Sequence, residues 1–475
     1  MPTLYKIYAV VLVGRLEKEV EGKGMISENQ AGFRRGRTTT DHIYVLNHII
    51  GKMSTRRRGK AVALFVDLRA AFDTVGRRVL WEAMEKRGVR EGLRERVREI
   101  YRETKSRVRV GGEGFWTTKG LRQGCSLNPI LFNMLIADVE EEFRKGRWGG
   151  VEVGGRRICT LAYADDLVLL AREEEEMESM IRRLEGYLEK KRLEINVGKT
   201  KVMRFKKGGG GERKMDWRWK GKRIEEVKEF RYLGYVFKRN GGQEAQIRDR
   251  VKKAGVAMRQ VWGIGKRKFE RDWGRRMWLF DTLVWSVAGY GVEIWGWKER
   301  EDMERMQERY IRWSLGVDWR TPGYMVREET KRMKLRAGAG ERAWRYEEKL
   351  GRGEGGELAR WCLVVVRERE REGEVELSAW ERERMEYRRE RGIWEGGEGR
   401  RGREESEGWG EQDGRRQEEE RRARIRQSRY NKWYREIVVE EVPKYLRAGW
   451  GEARYRLGNE MRGGEILGRG GREEM

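Results

Sequence analysis

Two adjacent carboxylates in Tyr163-Ala164-Asp165-Asp166 stand between apolar runs, Arg157 to Ala162 and Leu167 to Ala171, that read as buried strands. Like charges this close at a hairpin tip repel unless a cation neutralises them. Oxygen donors without His or Cys select a hard divalent ion, Mg²⁺ first and Mn²⁺ second. A further carboxylate, Asp67, ends the apolar run Ala61 to Val66, and Ala70-Ala71-Phe72-Asp73 then turns into Thr74-Val75. A strand-terminal Asp beside a paired-Asp hairpin can hold two ions, one activating a hydroxyl and one stabilising a leaving group. Phosphoryl transfer asks for this positioning and charge neutralisation more than for a protein nucleophile. The chain has 2 histidines, His42 and His48, which disfavours histidine acid–base chemistry. Taken singly, each Asp also reads as an ordinary turn residue or strand-end cap.

The surrounding pattern must place these groups. Asn128-Pro129 is a helix start, with Asn128 as N-cap and Pro129 at the first helical position. Ile130, Met134 and Ala137, with Leu131 and Leu135, then form a helical apolar face. Leu4, Tyr8, Val11 and Val20 suggest an N-terminal helix, and Val89 to Thr104 a helical insertion. From about 242 the period is helical: Ile247, Val251, Ala254 and Met258 share a face, as do Phe269, Trp273, Met277, Phe280 and Val284, and then Met303, Met306, Tyr310 and Trp313. Beyond 345 the chain is rich in Arg, Glu and Gly, with apolar pattern only at Trp361 to Val366 and Tyr430 to Leu446, and no fold is assigned. The run Ile7 to Val13 is too short to span a membrane and lacks a cleavage-site pattern.

Lys and Arg number 107 against 80 Asp and Glu, a net charge of +27, which favours a polyanionic partner. Basic residues among 20 Trp and 17 Tyr suit phosphate contact with base stacking. A purine-rich coding strand would produce the same excess of Gly, Lys, Arg and Glu, so motifs weigh more than charge. Gly198-Lys199-Thr200 ends like a phosphate-binding loop, but Leu193 stands where the earlier Gly is required. Gly351-Arg352-Gly353-Glu354-Gly355-Gly356 and the run Gly208 to Gly211 read as loops, and Arg56-Arg57-Arg58 as an exposed basic loop able to meet phosphate. Cys125, Cys159 and Cys362 have no metal-ligand spacing, pointing to a reducing compartment and to no disulfide-linked partner.

Phe65-Val66-Asp67-Leu68-Arg69-Ala70-Ala71-Phe72-Asp73, Arg122-Gln123-Gly124-Cys125-Ser126-Leu127-Asn128-Pro129 and Tyr163-Ala164-Asp165-Asp166 resemble three successive reverse transcriptase motifs. Their order and spacing are similar to those of non-LTR, LINE-type retrotransposons. Glu28 to Arg34, Asn196 to Lys201 and Phe230 to Gly234 extend the match, and Tyr310 to Met325 is similar to insect, jockey-like members. The resemblance implies an α+β right-hand polymerase with an antiparallel palm sheet, a helical thumb and a charged C-terminal tail. Residues 1–58 would be partial fingers, 59–238 the palm with a fingers insertion, 239–345 the thumb or connection, and 346–475 a charged, low-complexity region.

The roles it implies are these. Asp67, Asp165 and Asp166 are catalytic and hold two Mg²⁺ ions; Phe72 is a steric gate beneath the sugar. Gln123 and Gly124 lie against the nascent pair, and Lys199 approaches the triphosphate. Arg122, Tyr163, Tyr232, Leu233 and Gly234 contact primer and template. The implied activity is RNA-directed DNA polymerisation on an RNA template from a DNA primer with dNTPs, in nucleus and cytoplasm, with no membrane. The pattern departs where Ser126 and Asn128 stand, which touches the loop ahead of the helix. The family's endonuclease and Cys/His cluster have no counterpart here, so the chain reads as truncated, and a catalytically impaired nucleic-acid-binding remnant is the alternative.

Overall fold

The structure, a computed structural model, describes residues 3–55, 60–102, 105–107, 114–206, 215–373, 376–391, 402–429 and 434–448. The basic loop Arg56-Arg57-Arg58 and the run Gly208 to Gly211 lie outside the described residues. The chain divides into two compact units, one of residues 1–242 with 348–378, the other of 243–347 with 379–475.

The first unit is α+β. It opens with helices α1 (Thr3–Gly22) and α2 (Thr39–Thr55) and strand β1 (Lys60–Asp67). Helices α3 (Glu91–Arg102) and α4 (Asn128–Leu135) follow, then the hairpin of β2 (Thr160–Tyr163) and β3 (Asp166–Ala171). Next come α5 (Glu174–Lys191), β4 (Lys201–Lys206), β5 (Glu225–Glu226) and a second hairpin of β6 (Glu229–Tyr232) and β7 (Tyr235–Lys238). Five strands form one sheet in the order β5-β4-β1-β3-β2. All its pairings are antiparallel except β4 with β5. β1 is central and covered on both faces, so Ala61 to Val66 carries no polar alternation. Val62, Leu64 and Val66 pack into one core with Leu131 and Leu135 of α4 and Met177, Ile181 and Leu184 of α5. On the other face α2 covers β1, and Phe65 stacks on Phe230 of β6 at 4.3 Å. Each fully buried Leu, Val or Phe contributes about 1.5–3 kcal/mol of burial, so a polar substitution in β1 breaks the sheet at its centre.

In α1 the buried face is Ala9, Leu12, Leu16 and Val20, while Leu4, Tyr8 and Val11, which the sequence grouped with Val20, are exposed. The helix is apolar almost all round at its start, so periodicity could not choose the face. Residues beyond 345 do contribute to this unit. The helix Glu357–Arg371 buries Leu358, Ala359, Cys362, Leu363 and Val366 and packs on α2. The glycine loop before it is fixed to the start of α2, where the Gly356 N–H donates to Asp41 Oδ2 at 3.2 Å.

The second unit is helical among its described residues. α6 (Glu244–Lys268), α7 (Trp273–Leu279), continuing as a π-helical turn at Phe280–Val284, and α8 (Glu301–Leu315) carry most of the expected stripes inward, with Val251, Phe269 and Trp313 only half-buried. Ile247, Ala254, Met258, Trp273, Met277, Phe280, Val284, Met303, Met306 and Tyr310 are buried. Two ion pairs are buried with them: Arg327 with Glu304 at 2.7 Å, and Arg384 with both oxygens of Glu347. No helix among the described residues is long and apolar enough to cross a membrane.

Candidate active site

β1 and β3 pair so that Asp67 stands directly opposite Asp166, the last residue of one strand against the first of the other. The β2–β3 hairpin turns through Ala164 and Asp165, with Tyr163 paired to Asp166. Register therefore puts three carboxylates at the same end of the sheet. Ala164 takes φ 59°, a left-handed conformation that glycine occupies at low cost and alanine does not.

Residues 29–32 hold this turn. The Asn29 side chain donates to Thr160 O at 2.7 Å, the Ala162 N–H donates to Asn29 O at 2.8 Å, and the Ala31 N–H donates to Ala162 O at 2.9 Å. The Gln30 Oε1 accepts from the N–H groups of Gly32 and Ala164 at 2.9 and 3.0 Å, and its Nε2 donates to Ala164 O at 3.3 Å. A Cβ on Gly32 would sit 2.2 Å from the Ala164 nitrogen, so only glycine fits there. Asn133 of α4 donates to Gly32 O at 2.7 Å.

The neighbouring loops are fixed by the same strand ends. The Asp67 N–H donates to Thr200 Oγ1 at 3.2 Å, the Asn196 N–H to Asp67 O at 2.7 Å, and the Arg69 N–H to Glu194 O at 2.7 Å. Lys199, exposed, sits in that anchored loop, its N–H donating to Asn196 O at 3.1 Å. After β1, the Leu121 N–H donates to Phe72 O at 2.8 Å and Gln123 Nε2 to Asp73 Oδ1 at 3.4 Å, which brings Arg122, Gln123 and Gly124 beside Phe72. Phe72 is half-buried, its ring 4.9 Å from that of Phe132. Arg122 lies over the rings of Tyr5 and Tyr101 at 5.2 and 5.9 Å.

Asn128 is not the N-cap. It is the first residue of α4, Leu127 precedes it without a side-chain cap, and Pro129 follows in the first turn. Its carboxamide instead donates to Arg122 O at 2.6 Å and accepts from Tyr101 Oη at 3.0 Å. The loop's need for a buried donor and acceptor outcompetes capping.

The β6–β7 hairpin turns through Leu233 and Gly234, both left-handed at φ 47° and 78°, the pattern of a tight two-residue hairpin. Tyr232 is buried, with its hydroxyl 3.3 Å from His42 Nδ1 and its ring 5.8 Å from that of Phe65. His42 in turn meets the Tyr163 ring edge-on at 6.1 Å. One buried imidazole thus joins the two hairpins. Burial, then Arg37, pushes the His42 imidazole down to about 3, so it stays neutral as a packing and hydrogen-bonding group.

Burial first, then the charges of Asp165 and Asp67, pushes the Asp166 carboxyl up to about 6. Burial is the larger cause and the neighbouring negative charge the smaller, and a divalent cation would relieve the second. The donor set, oxygen only, fits a hard ion. Among the described residues, the acidic group whose oxygens close within 4.8 Å is Glu173, Glu174 and Glu175, at the start of α5 and outside this constellation; the three aspartates are more widely set.

Sequence reasoning named Glu28 to Arg34 by resemblance and gave none of it a role. The contact of Gln30 with the Asp hairpin is tertiary, across 134 residues of chain, and leaves no local signal. A glycine two residues on, where nothing in the local pattern demands a turn, is the one hint the sequence offers.

A family model described as reverse transcriptase (RNA-dependent DNA polymerase) matches residues 1–237. A retrovirus-related Pol polyprotein from a type-1 retrotransposable element R2 of Nasonia vitripennis is 28% identical over 183 residues, 38% of this chain and 18% of that protein. A probable RNA-directed DNA polymerase from transposon BS of Drosophila melanogaster is 22% identical over 327 residues, 65% of this chain and 34% of that protein. The chain thus spans about a fifth to a third of these relatives' length. Among solved structures, telomerase from Candida albicans in complex with a fragment of telomeric RNA aligns with 71% of this chain and 52% of that one, at 12% identity and a TM-score of 0.33.

Proposed function

Residues 1–237 make this chain a member of the reverse transcriptase family, of the non-LTR retrotransposon kind, and we propose that it extends a DNA 3′-hydroxyl along an RNA template using dNTPs. The observation that carries the reading is the register opposition of Asp67 and Asp166 with Asp165 beside them, on an end of the sheet whose loops hold the remaining motif residues. Asp67, Asp165 and Asp166 would hold two Mg²⁺ ions, with Mn²⁺ able to replace them, and the ions would supply charge neutralisation at the attacking and leaving oxygens.

The chain's own residues do the positioning. Phe72, set by Phe132 and by the Leu121 contact to its carbonyl, stands as the sugar gate. Gln123 and Gly124 offer a backbone that approaches the nascent pair closely, and Gly124 at φ 76° has no atom within 4 Å of where a Cβ would sit. Lys199 brings a cation toward the triphosphate from a loop tied to Asp67. Tyr163, Leu233, Gly234 and Arg122 would form the primer and template contacts, and the buried Tyr232 would hold its hairpin in place, coupled to Tyr163 through His42.

The test is dNTP incorporation on an RNA template with an annealed DNA primer, comparing the chain with its Asp165→Ala/Asp166→Ala variant. Mg²⁺-dependent extension abolished in the variant is the expected result. Template binding without extension by the unaltered chain would overturn the enzyme reading and leave a nucleic-acid-binding remnant.

A further inference from the structure

We propose that Gln30 is a positioning residue whose carboxamide sets the Ala164–Asp165 turn and thereby fixes where the adjacent carboxylates stand; the inference deepens the polymerase reading and rests on it. The need comes from the turn itself. Ala164 is left-handed at φ 59°, where an L side chain crowds the backbone. Alanine has no polar group with which to stabilise that conformation, so support must come from outside the hairpin.

Gln30 supplies it from a buried position, 3% exposed. One carboxamide meets both polar groups of the strained residue, accepting from the Ala164 N–H at 3.0 Å and donating to the Ala164 carbonyl at 3.3 Å. Its oxygen also accepts from the Gly32 N–H at 2.9 Å, which settles the orientation of the amide. The main-chain bonds at Asn29 and Ala31 fix the height of Gln30 along β2, and the absent Cβ of Gly32 lets the segment lie against the turn.

Neither Glu nor Met can replace it. Glu keeps the acceptor but loses the donor to Ala164 O and brings a fourth negative charge toward Asp165; Met keeps the volume and loses all three bonds. A turn that relaxes moves Asp165 and Asp166 relative to Asp67, and a displacement near 1 Å costs on the order of 100-fold in rate.

The experiment uses the full chain, with Gln30→Met, Gln30→Glu and the double variant Gln30→Met/Ala164→Gly. Primer extension on an RNA template should show kcat falling by about 10- to 100-fold in Gln30→Met, with template affinity and the dNTP KM held within about twofold. Ala164→Gly should return part of the lost kcat, because glycine adopts the left-handed turn without the crowding. Gln30→Glu should fall at least as far as Gln30→Met. Unchanged kcat in Gln30→Met, an equal loss of template binding, or no recovery in the double variant would each overturn the proposal.

Hydrogen exchange in the absence of substrates decides the contact separately from turnover. The Ala164 amide should lose protection in Gln30→Met while the β1 amides keep theirs. If the unaltered chain extends no primer, the polymerase reading fails, and this exchange result alone still upholds or sinks the positioning of the turn.

Discussion

Asp166→Asn should make the chain more stable at neutral pH while abolishing extension. The Asp166 carboxyl is pushed from its ordinary value of 3.8 up to about 6, by burial and then by Asp165 and Asp67. A rise of roughly two units corresponds to about 3 kcal/mol at full weight. The side chain keeps contact with water, and screening there brings the figure to about 1 kcal/mol. The sign follows from linkage: the folded chain holds this proton more tightly than the unfolded chain, so stability is lost as pH rises from about 4 to 6 and stays lost above. Asparagine carries no such penalty at any pH. At pH 7.5 without divalent ions, the variant should melt about 2–4 °C above the unaltered chain. At pH 4.5 most of the penalty has yet to develop, and the gain should shrink to about a third. Mg²⁺ should raise the melting temperature of the unaltered chain more than that of the variant. Calorimetry at both pH values checks all three. A variant that melts lower at pH 7.5, or a gain that does not shrink as the pH falls, would refute the picture of a carboxylate penalised by burial and by its two neighbours.

Gly32→Ala puts a Cβ 2.2 Å from the Ala164 nitrogen and should cost about 1–3 kcal/mol. Gly14→Ala, in α1 with open space around it, should instead stabilise by about 0.5–1 kcal/mol, and urea unfolding of the two separates crowding from helix propensity. Arg384→Met strands Glu347 in the core of the helical unit and should cost about 3–5 kcal/mol, whereas Arg384→Met/Glu347→Leu should be close to neutral. Phe72→Val opens space above the Phe132 ring and should raise ribonucleotide incorporation relative to dNTPs by about tenfold or more, read by single-nucleotide extension.

The acidic motifs were legible because each sits at a strand end that the apolar pattern marks: Ala61 to Val66 before Asp67, and Leu167 to Ala171 after Asp166. Their opposition was not, since register between strands about a hundred residues apart is set by the whole sheet. Most of the helical stripe residues of the second unit are buried as read, because they recur at helical spacing, although Val256, Ile264, Trp278 and Leu283 stand exposed on the same helices. α1 defeated the same reasoning, its apolar residues lying on both sides. Asn128 misled because its type suits a cap, while the Arg122 carbonyl and the Tyr101 hydroxyl offered better partners. In the charged C-terminal region the run Trp361 to Val366 was noticed, yet its frame of Arg and Glu hid that Leu358, Ala359, Cys362, Leu363 and Val366 share a buried face.

The helix Glu357–Arg371 has a consequence for synthesis. α2 and β1 are complete early, but the cover for α2 comes from a segment made after the whole stretch 243–347. At ribosomal speeds of about 5–20 residues per second, that intervening chain takes roughly 5–20 s to emerge. During that interval the side of α2 that carries Asp41 and His48, which the later segment meets, belongs to an unfinished unit, while much of the helical unit is already available to fold. Birth order and folding order therefore diverge, and a nascent chain released before residue 371 leaves the ribosome with one side of α2 still uncovered.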